Sequence, residues 1–599
     1  MTRSTSSAVL SLAALSLGIL SSSTYAAERA VLKDRVAASQ PVAFDVYLPV
    51  QNRVQLEKDL HDLNDASSAK YHKWLTPAQF NSRYAATPAQ VNAIQSQLKS
   101  YGLQTSVMTA HRIHVTGSAT STEQALGTVL KQGTFSNGRT VVAAAQPMTK
   151  PAALLSTNAV ITGLSGTVRM RTHSHPKVVP QSRTGITGGY FFDDLKQAYS
   201  FPSYKNYTGK GVTIGILSTG DFNQADMDAY FSEEKLTTPS YTTIPVDGGA
   251  PFDATASFET HLDLQQSGGM APDAKVLLYN LPSLADNYII DGLSQIVTDN
   301  KTDVVSMSFG AAEAFYTADY NSGEDQTNLL QEEDDLMAQG NAQGITFIAS
   351  SGDSGALASF PASCFDPTAT ACGAVEAGAQ FPASSPHVTG VGGTNLVTTF
   401  LGFLGDLSSI YVRENATAEP LVSDIFYGTT ATGSYWGSGG GDSILFPKPL
   451  FQIFTDTGNA NFRTVPDVAL HMGGCPAGVL GTCNPEDSFD YMTIGGQYFG
   501  AIGTSAAAPD FAGLTALNIQ RQGQRLGNEN YYIYTLALLQ NLGLPINVFK
   551  GNIPGFNGLY STTPKGYNRV LGNGTLNGVN FLLAPFSTVA GTPQTPTNP

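Results

Sequence analysis

Two acids stand four residues apart in the stretch "SFETHLDL" (257–264), Glu259 and Asp263, with His261 between them. Far downstream, "GAIGTSAAAPDFAGLTAL" (500–517) puts Ser505 between a Gly-Thr turn and a helical run with Pro509 in its first turn. A serine in that place sits where backbone N–H groups point outward, which suits an oxyanion. Two chemistries compete at the first stretch. Either His261 is the base for a serine nucleophile, oriented by an acid, or the carboxylates act themselves. On a helix, residues i and i+4 share a face and the residue between them points elsewhere, so Glu259 and Asp263 can meet while His261 turns away. Two adjacent carboxylates do not both ionise readily and tend to share a proton. A carboxylate with an ordinary pKa of about 4 still works as a base near pH 3 to 5, where a histidine of about 6.5 is already protonated. Taken singly, each residue has a plainer reading: an N-cap serine, and a solvated helix face. Ser505 is not in the Gly-x-Ser-x-Gly elbow of α/β-hydrolases, because Ala507 fills the last position. A two-carboxylate glycosidase fails on geometry, since acids adjacent on one helix are too close to flank a sugar bond.

The elements that must position these groups follow from hydrophobic patterning. From Leu195 onward, "GVTIGILSTG" (211–220), "AKVLLYN" (274–280), "TDVVSMSFG" (302–310) and "ITFIASSGDSG" (345–355) are short apolar runs ending in Gly, Ser or Asp. Helical segments such as 328–343 separate them. That alternation predicts an α/β fold, a parallel sheet with helices on both faces and ligand sites where strands end in loops. Residues 28 to about 165 read as a separate α+β unit. It has helices over 52–65 and 87–102, the second opening on Thr87-Pro88 and closing on Gly102, and a strand in "HRIHVTG" (111–117). A Ser/Arg/His/Pro-containing stretch after it reads as a linker.

Composition bounds the class. The chain has 599 residues, 42% hydrophobic and only 13% charged, about half the usual charged share. A protein poor in ionisable groups depends less on ion pairs and loses less stability in acid. The formal charge of -15 argues against nucleic acid and anionic membranes as partners. Arg3, the apolar run 8–20 and the small residues up to Ala26 predict an export signal over 1–26, too short for a spanning helix. In an exported chain, the cysteines suggest local disulfides, Cys364–Cys372 and Cys475–Cys483, with other pairings open.

"GTSAAAP" is a serine motif of subtilisins and sedolisins. The histidine motif of subtilisins is missing, and the first sheet strand ends "GILSTGDF" without their aspartate. The helix reads instead "FETHLDLQQSGGMAPDAKVLLY", the Glu-x-x-x-Asp and Ala-Pro-x-Ala pattern of a sedolisin. "VVSMSFG" (304–310), "ASSGDSGA" (349–356), "FPASSPHVTGVGGT" (381–394), "WGSGGGDS" (436–443) and "RTVPDVAL" (463–470) follow in sedolisin order, and "YHKWLTPAQF" (71–80) resembles the pro-domain. The chain thus resembles the sedolisin family, with a kumamolisin-like pro-domain, over nearly everything between signal and tail.

The resemblance implies a subtilisin-like α/β domain over 188–585, a pro-domain over 28–165 and a linker with the processing site over 166–187. A disordered tail would fill 586–599. It implies a secreted or periplasmic, acid-acting serine-carboxyl endopeptidase, monomeric and made as a self-processing zymogen. Ser505 would be the nucleophile, Glu259 the base, Asp263 its proton-sharing partner and Asp353 the oxyanion-hole acid. Ser306, Ser308, Gly310, Gly439 and Gly440 would line the cleft for extended protein and peptide substrates. The pro-domain would be the chain's own inhibitor. The same resemblance admits a tripeptidyl-peptidase, and a non-catalytic secreted binding protein is the alternative outside enzymes. The four active-site positions all carry the residues catalysis needs, which favours the enzyme. The family's calcium site is degenerate here: Gly551 and Asn568 stand where aspartates are expected, so calcium should bind poorly or be absent.

Overall fold

The computed structural model describes residues 28–136, 138–177, 188–365, 372–403, 406–484 and 487–584. The expected export signal, the tail and linker residues 178–187 lie outside them.

The N-terminal unit is an antiparallel sheet with helices. Its strands are β1 (Pro41–Tyr47), β2 (Gln104–Val107), β3 (Arg112–Ser118) and β4 (Val160–Thr162), in the spatial order β2-β3-β1-β4. The helices are α1 (Arg53–Asn64), α2 (Pro77–Tyr84) and α3 (Pro88–Ser100). Thr76 with Gln79, and Thr87 with Gln90, form reciprocal capping boxes, each followed by a proline at the first helical position, so α2 and α3 start from the same local signal. Phe44, Val46, Ile94, Leu98, Ile113 and Val115 share one core. Leu56, Leu60 and Leu63 of α1, with Phe80 and Tyr84 of α2, pack instead on Ala338 and Ala342 of the C-terminal unit.

After two short strands, β5 (Arg171–Thr172) and β6 (His175–Lys177), the large unit begins. Its elements are β7 (Thr213–Thr219), β8 (Ser240–Pro245), α4 (Phe258–Met270), β9 (Lys275–Leu281), α5 (Asp286–Asp299), β10 (Val304–Met307), β11 (Phe309–Ala312) and α6 (Thr327–Ala342). They continue with β12 (Thr346–Ser350), β13 (Val388–Phe403), β14 (Val468–His471), β15 (Phe489–Ile494), β16 (Gln497–Ile502), α7 (Thr504–Gln522) and β17 (Thr575–Leu576). The sheet runs β8-β9-β7-β10-β12-β13-β14-β17, and each of these neighbours is parallel. Its strands are apolar on both faces because helices cover both. The expected α/β, subtilisin-like class is therefore what the chain adopts.

One departure matters for the site. The apolar run at 302–310 is not one strand; it breaks after Met307, and β11 leaves the large sheet to pair with β5 and with Gln380–Phe381. Helices α4 and α7 lie against each other under the sheet. A Cβ on Gly513 of α7 would clash with Met270 of α4, so this glycine sets how closely the two helices approach. Both disulfides are the local pairs, Cys364–Cys372 and Cys475–Cys483.

Candidate active site

Helix α4 is buried along both of its faces from Glu259 to Met270, so its carboxylates are out of water rather than on a solvated surface. Glu259 Oε2 accepts a hydrogen bond from Ser174 Oγ at 2.5 Å, and Glu259 also interacts with the Ser505 hydroxyl. Asp263 Oδ1 accepts from Ser308 Oγ at 2.5 Å. The other oxygens, Glu259 Oε1 and Asp263 Oδ2, are buried without a further partner. Burial pushes Glu259 up to about 8, and burial plus the neighbouring Glu259 holds Asp263 well above the usual carboxylate range. Two acids on one helix face, each with a spare oxygen, therefore hold a proton near neutrality.

His261 is spent elsewhere. Its Nδ1–H donates to the Thr493 carbonyl at 3.0 Å, and its Nε2 accepts the Asn223 N–H at 3.2 Å. Both ring nitrogens are engaged away from Ser505, which leaves the imidazole a neutral structural link.

Ser505 opens α7. Its Oγ lies 3.3 Å from the Ser308 carbonyl, and its backbone N–H donates at 3.2 Å to the carbonyl of His173. Asp353 follows β12 in a fully buried loop. Its Oδ1 accepts from Thr504 N and Thr504 Oγ1, both at 2.8 Å, while Oδ2 has no hydrogen-bond partner. Burial keeps Asp353 well above its ordinary pKa against the pull of Thr504, so a proton on Oδ2 is favoured. Gly503, at φ 136°, lies between these groups: a Cβ there would clash with the His173 carbonyl oxygen and come within 2.8 Å of Asp353 Oδ2. One backbone carbonyl thus faces an amide donor on one side and a buried acid on the other.

That carbonyl belongs to the segment linking the two units, which crosses the site as an extended chain. Before it, β5 pairs antiparallel with β11, Arg171 opposite Gly310 and Thr172 opposite Phe309, and His173 N donates to Ser308 O at 3.2 Å. After it, β6 pairs antiparallel with β16, His175 opposite Ile502. The segment's Ser/Arg/His/Pro composition predicts only a linker. Its strand pairing depends on edges supplied by the large unit, which no local signal reveals.

Of the residues expected to line the cleft, Ser308 and Gly310 touch this segment. Ser306 is inside β10 with its hydroxyl buried. Gly439 and Gly440 brace the neighbouring loops: Gly439 N donates to Gly352 O at 2.7 Å, Gly439 O accepts from Ser351 Oγ at 2.8 Å, and Gly440 packs on Arg569 and Pro466. Their effect on the site passes through the Asp353 loop. A second Ser–His–Asp grouping, Ser488 with His471 at 2.9 Å and His471 with Asp490 at 2.9 Å, is wholly buried, and Ser488 Oγ is shared with Asn395 at 2.7 Å. With no path for a substrate, it is a core network.

The C-terminal loop does not fit a calcium ion. A Cβ on Gly551 would face only the Pro564 carbonyl, at 3.8 Å. Asn568 Oδ1 already accepts Val570 N and Leu571 N at 3.1 and 2.9 Å. The neighbouring Lys550 lies over the Tyr411 ring, and Arg569 pairs with Asp442. Calcium needs several oxygens with negative charge among them, and this loop offers carbonyls beside two cations.

Comparison with known proteins gives a consistent picture. A family model described as pro-kumamolisin, activation domain matches residues 28–167, and one described as the subtilase family matches 247–542. Sedolisin of Pseudomonas sp. (strain 101) is 27% identical over 560 residues, 90% of this chain and 86% of its own length. Xanthomonalisin of Xanthomonas sp. (strain T-22) is 27% identical over 515 residues, 80% of this chain and 58% of its own. The solved structure of Pseudomonas sedolisin (serine-carboxyl proteinase), complexed with two molecules of pseudo-iodotyrostatin, aligns with a TM-score of 0.52 at 27% identity. It covers 66% of this chain and 98% of that one.

Proposed function

The chain belongs to the sedolisin family of serine-carboxyl peptidases and carries its own activation domain, and from that premise we propose that it is an acid-acting endopeptidase exported as a self-processing zymogen. Ser505 is the nucleophile. Glu259 takes its proton and returns it to the leaving amine, while Asp263 shares that proton and keeps Glu259 oriented. Protonated Asp353 and the Ser505 N–H stabilise the oxyanion. Water then releases the acyl group.

The observation that carries this reading is the His173 carbonyl. It sits against the Ser505 N–H with Glu259 within electrostatic reach of the same serine, the arrangement an acyl transfer needs. Endopeptidase action is supported by the path of the chain. Met170 and Arg169 continue upstream of the paired Arg171, and His175 to Lys177 continue downstream. A cleft closed after three residues, as tripeptide removal requires, would not pass such a chain.

Ser505→Ala should abolish peptide hydrolysis and self-processing in acid while the protein keeps its fold by circular dichroism. Cleavage by that variant at the wild-type rate would refute the assignment. Export is supported by the signal-like start and the two disulfides. Calcium plays no part in this reading, because the loop at Gly551 and Asn568 lacks the charge to hold it.

A further inference from the structure

We infer that Ser308 is a positioning residue for the acid pair: its hydroxyl takes up Asp263 Oδ1 and so confines the proton the pair shares to Asp263 Oδ2, leaving Glu259 to act as the base. The inference rests on the peptidase reading above.

The break in the strand gives Ser308 two duties. It is the single residue between β10 and β11, where the chain leaves the large sheet. Before it, β10 is paired with β12 up to Met307; after it, Phe309 lies opposite Thr172. Ser308 is thus held from both ends, and it is buried. Its carbonyl accepts Ser505 Oγ at 3.3 Å and the His173 N–H at 3.2 Å. Its hydroxyl donates to Asp263 Oδ1 at 2.5 Å. Every residue type brings a carbonyl to this position; only a hydroxylated one brings the second bond.

That bond assigns the oxygens of the pair. Asp263 Oδ1 is taken by Ser308, and Glu259 Oε2 is the oxygen that accepts Ser174 in the whole chain. Glu259 Oε1 and Asp263 Oδ2 are buried with no hydrogen-bond partner. A proton on Asp263 Oδ1 would push the Ser308 hydrogen off the one acceptor that hydroxyl has among the described residues. The displaced hydrogen would be stranded in a buried site, which costs more than the bond it replaces. The shared proton is therefore excluded from Oδ1 and lies on Oδ2.

The charges around the pair do not compete with this bond. Among the described residues no cation bears on either acid. The titratable groups around Asp263 are Glu259 on its own helix and Asp353 across the cleft, which Glu259 also raises. The crossing segment adds His173 and His175, which burial lowers to about 4 and about 3. β10, β11 and α7 face Asp263 with neutral groups. With no cation to fix it, the place of the shared proton is set by hydroxyl donors.

Infrared difference spectroscopy on the full-length Ser505→Ala chain, at about pH 5, reads the carboxyl directly. The C=O band that disappears when Asp263→Asn is added belongs to protonated Asp263. When Ser308→Ala is added instead, that band should remain and move to higher wavenumber, because the carbonyl oxygen has lost its donor. It should also persist to higher pH, because the ionised form has lost the same donor. A band that does not move, or that vanishes at the starting pH, overturns the inference. In the matured enzyme, Ser308→Ala should lower kcat per titrated active site by about 10- to 100-fold. KM should change by less than about twofold, because the carbonyl that meets the substrate backbone is retained. A kcat within about twofold of wild type, or a loss carried mainly by KM, also overturns it. Counting titrated sites keeps a misfolded fraction from imitating the loss. If the wild-type chain hydrolyses no peptide in acid while the infrared band behaves as expected, the peptidase reading fails and the proton assignment stands.

Discussion

At the scale of single residues, the site needs a proton on Asp353 and one proton, not two, on the Glu259–Asp263 pair, because Glu259 acts as base only in its ionised form. Glu259 is pushed up to about 8 by burial, from 4.5 for a free side chain. A group raised in this way favours the fold in its neutral form. Its contribution is complete below about 4.5 and is lost as pH rises through about 8. Asp263 and Asp353 shift in the same direction. On the Ser505→Ala background, which prevents self-digestion, the melting temperature should fall by several degrees between pH 5 and 8.5. Glu259→Gln should flatten part of that fall; an unchanged slope would place the titration elsewhere. In the active enzyme, Asp353→Ala should lower kcat by about 10² to 10³, the usual cost of losing one oxyanion donor, with KM moving much less. The i,i+4 spacing alone exposes the partnership of Glu259 and Asp263 and the exclusion of His261. It does not expose the depth of burial, because α4 is enclosed by sheet and by α7 rather than by its own sequence.

At the scale of elements, one turn carries unusual weight. Gly503 has φ 136°, and the space a Cβ would need is taken by the His173 carbonyl and Asp353. Gly503→Ala would impose a backbone penalty of roughly 1–3 kcal/mol and also intrude on the oxyanion site. The variant should fold with a lowered melting temperature and lose at least about 10²-fold in peptide hydrolysis; near-wild-type turnover would show that the close approach at Gly503 is not used. Elements with local signals are legible in the sequence: α3 from Thr87-Pro88, the strands of the large sheet from their apolar runs. The same Thr-Pro-x-Gln signal at Thr76 marks α2, although "WLTPAQF" attracts notice first as a family motif. The break between β10 and β11 and the pairing of β5 and β6 are not legible, because their partners lie far along the chain and supply edges rather than sequence cues.

At the scale of the whole molecule, the two units are joined by buried charge as well as by packing. Arg53 of α1 pairs with Asp334 and Asp335 of α6, and Glu57 reaches His387, which its acidic neighbours raise to about 9 against the cost of burial. The Asp334 side chain is fully buried and is also held by Ser385 and His387, so Arg53→Ala removes one of its charged partners and should cost about 2 kcal/mol in chemical denaturation of the Ser505→Ala zymogen. A loss under about 1 kcal/mol would mean that His387 and Ser385 alone satisfy Asp334. Conversely, a chelator should leave the melting temperature of the full chain unchanged, since Asn568 Oδ1 is engaged by Val570 N and Leu571 N and Gly551 brings no carboxylate; a chelator-induced drop would contradict that. The extended segment through the cleft has one more consequence. While the chain is whole, that segment is a tethered ligand whose local concentration is fixed by the fold, on the order of millimolar or above, and dilution cannot weaken it. Once cut, the pro-domain becomes an ordinary dissociable inhibitor subject to mass action. The same cleavage should then yield an enzyme that stays silent in a crowded compartment and awakens on release into a large volume.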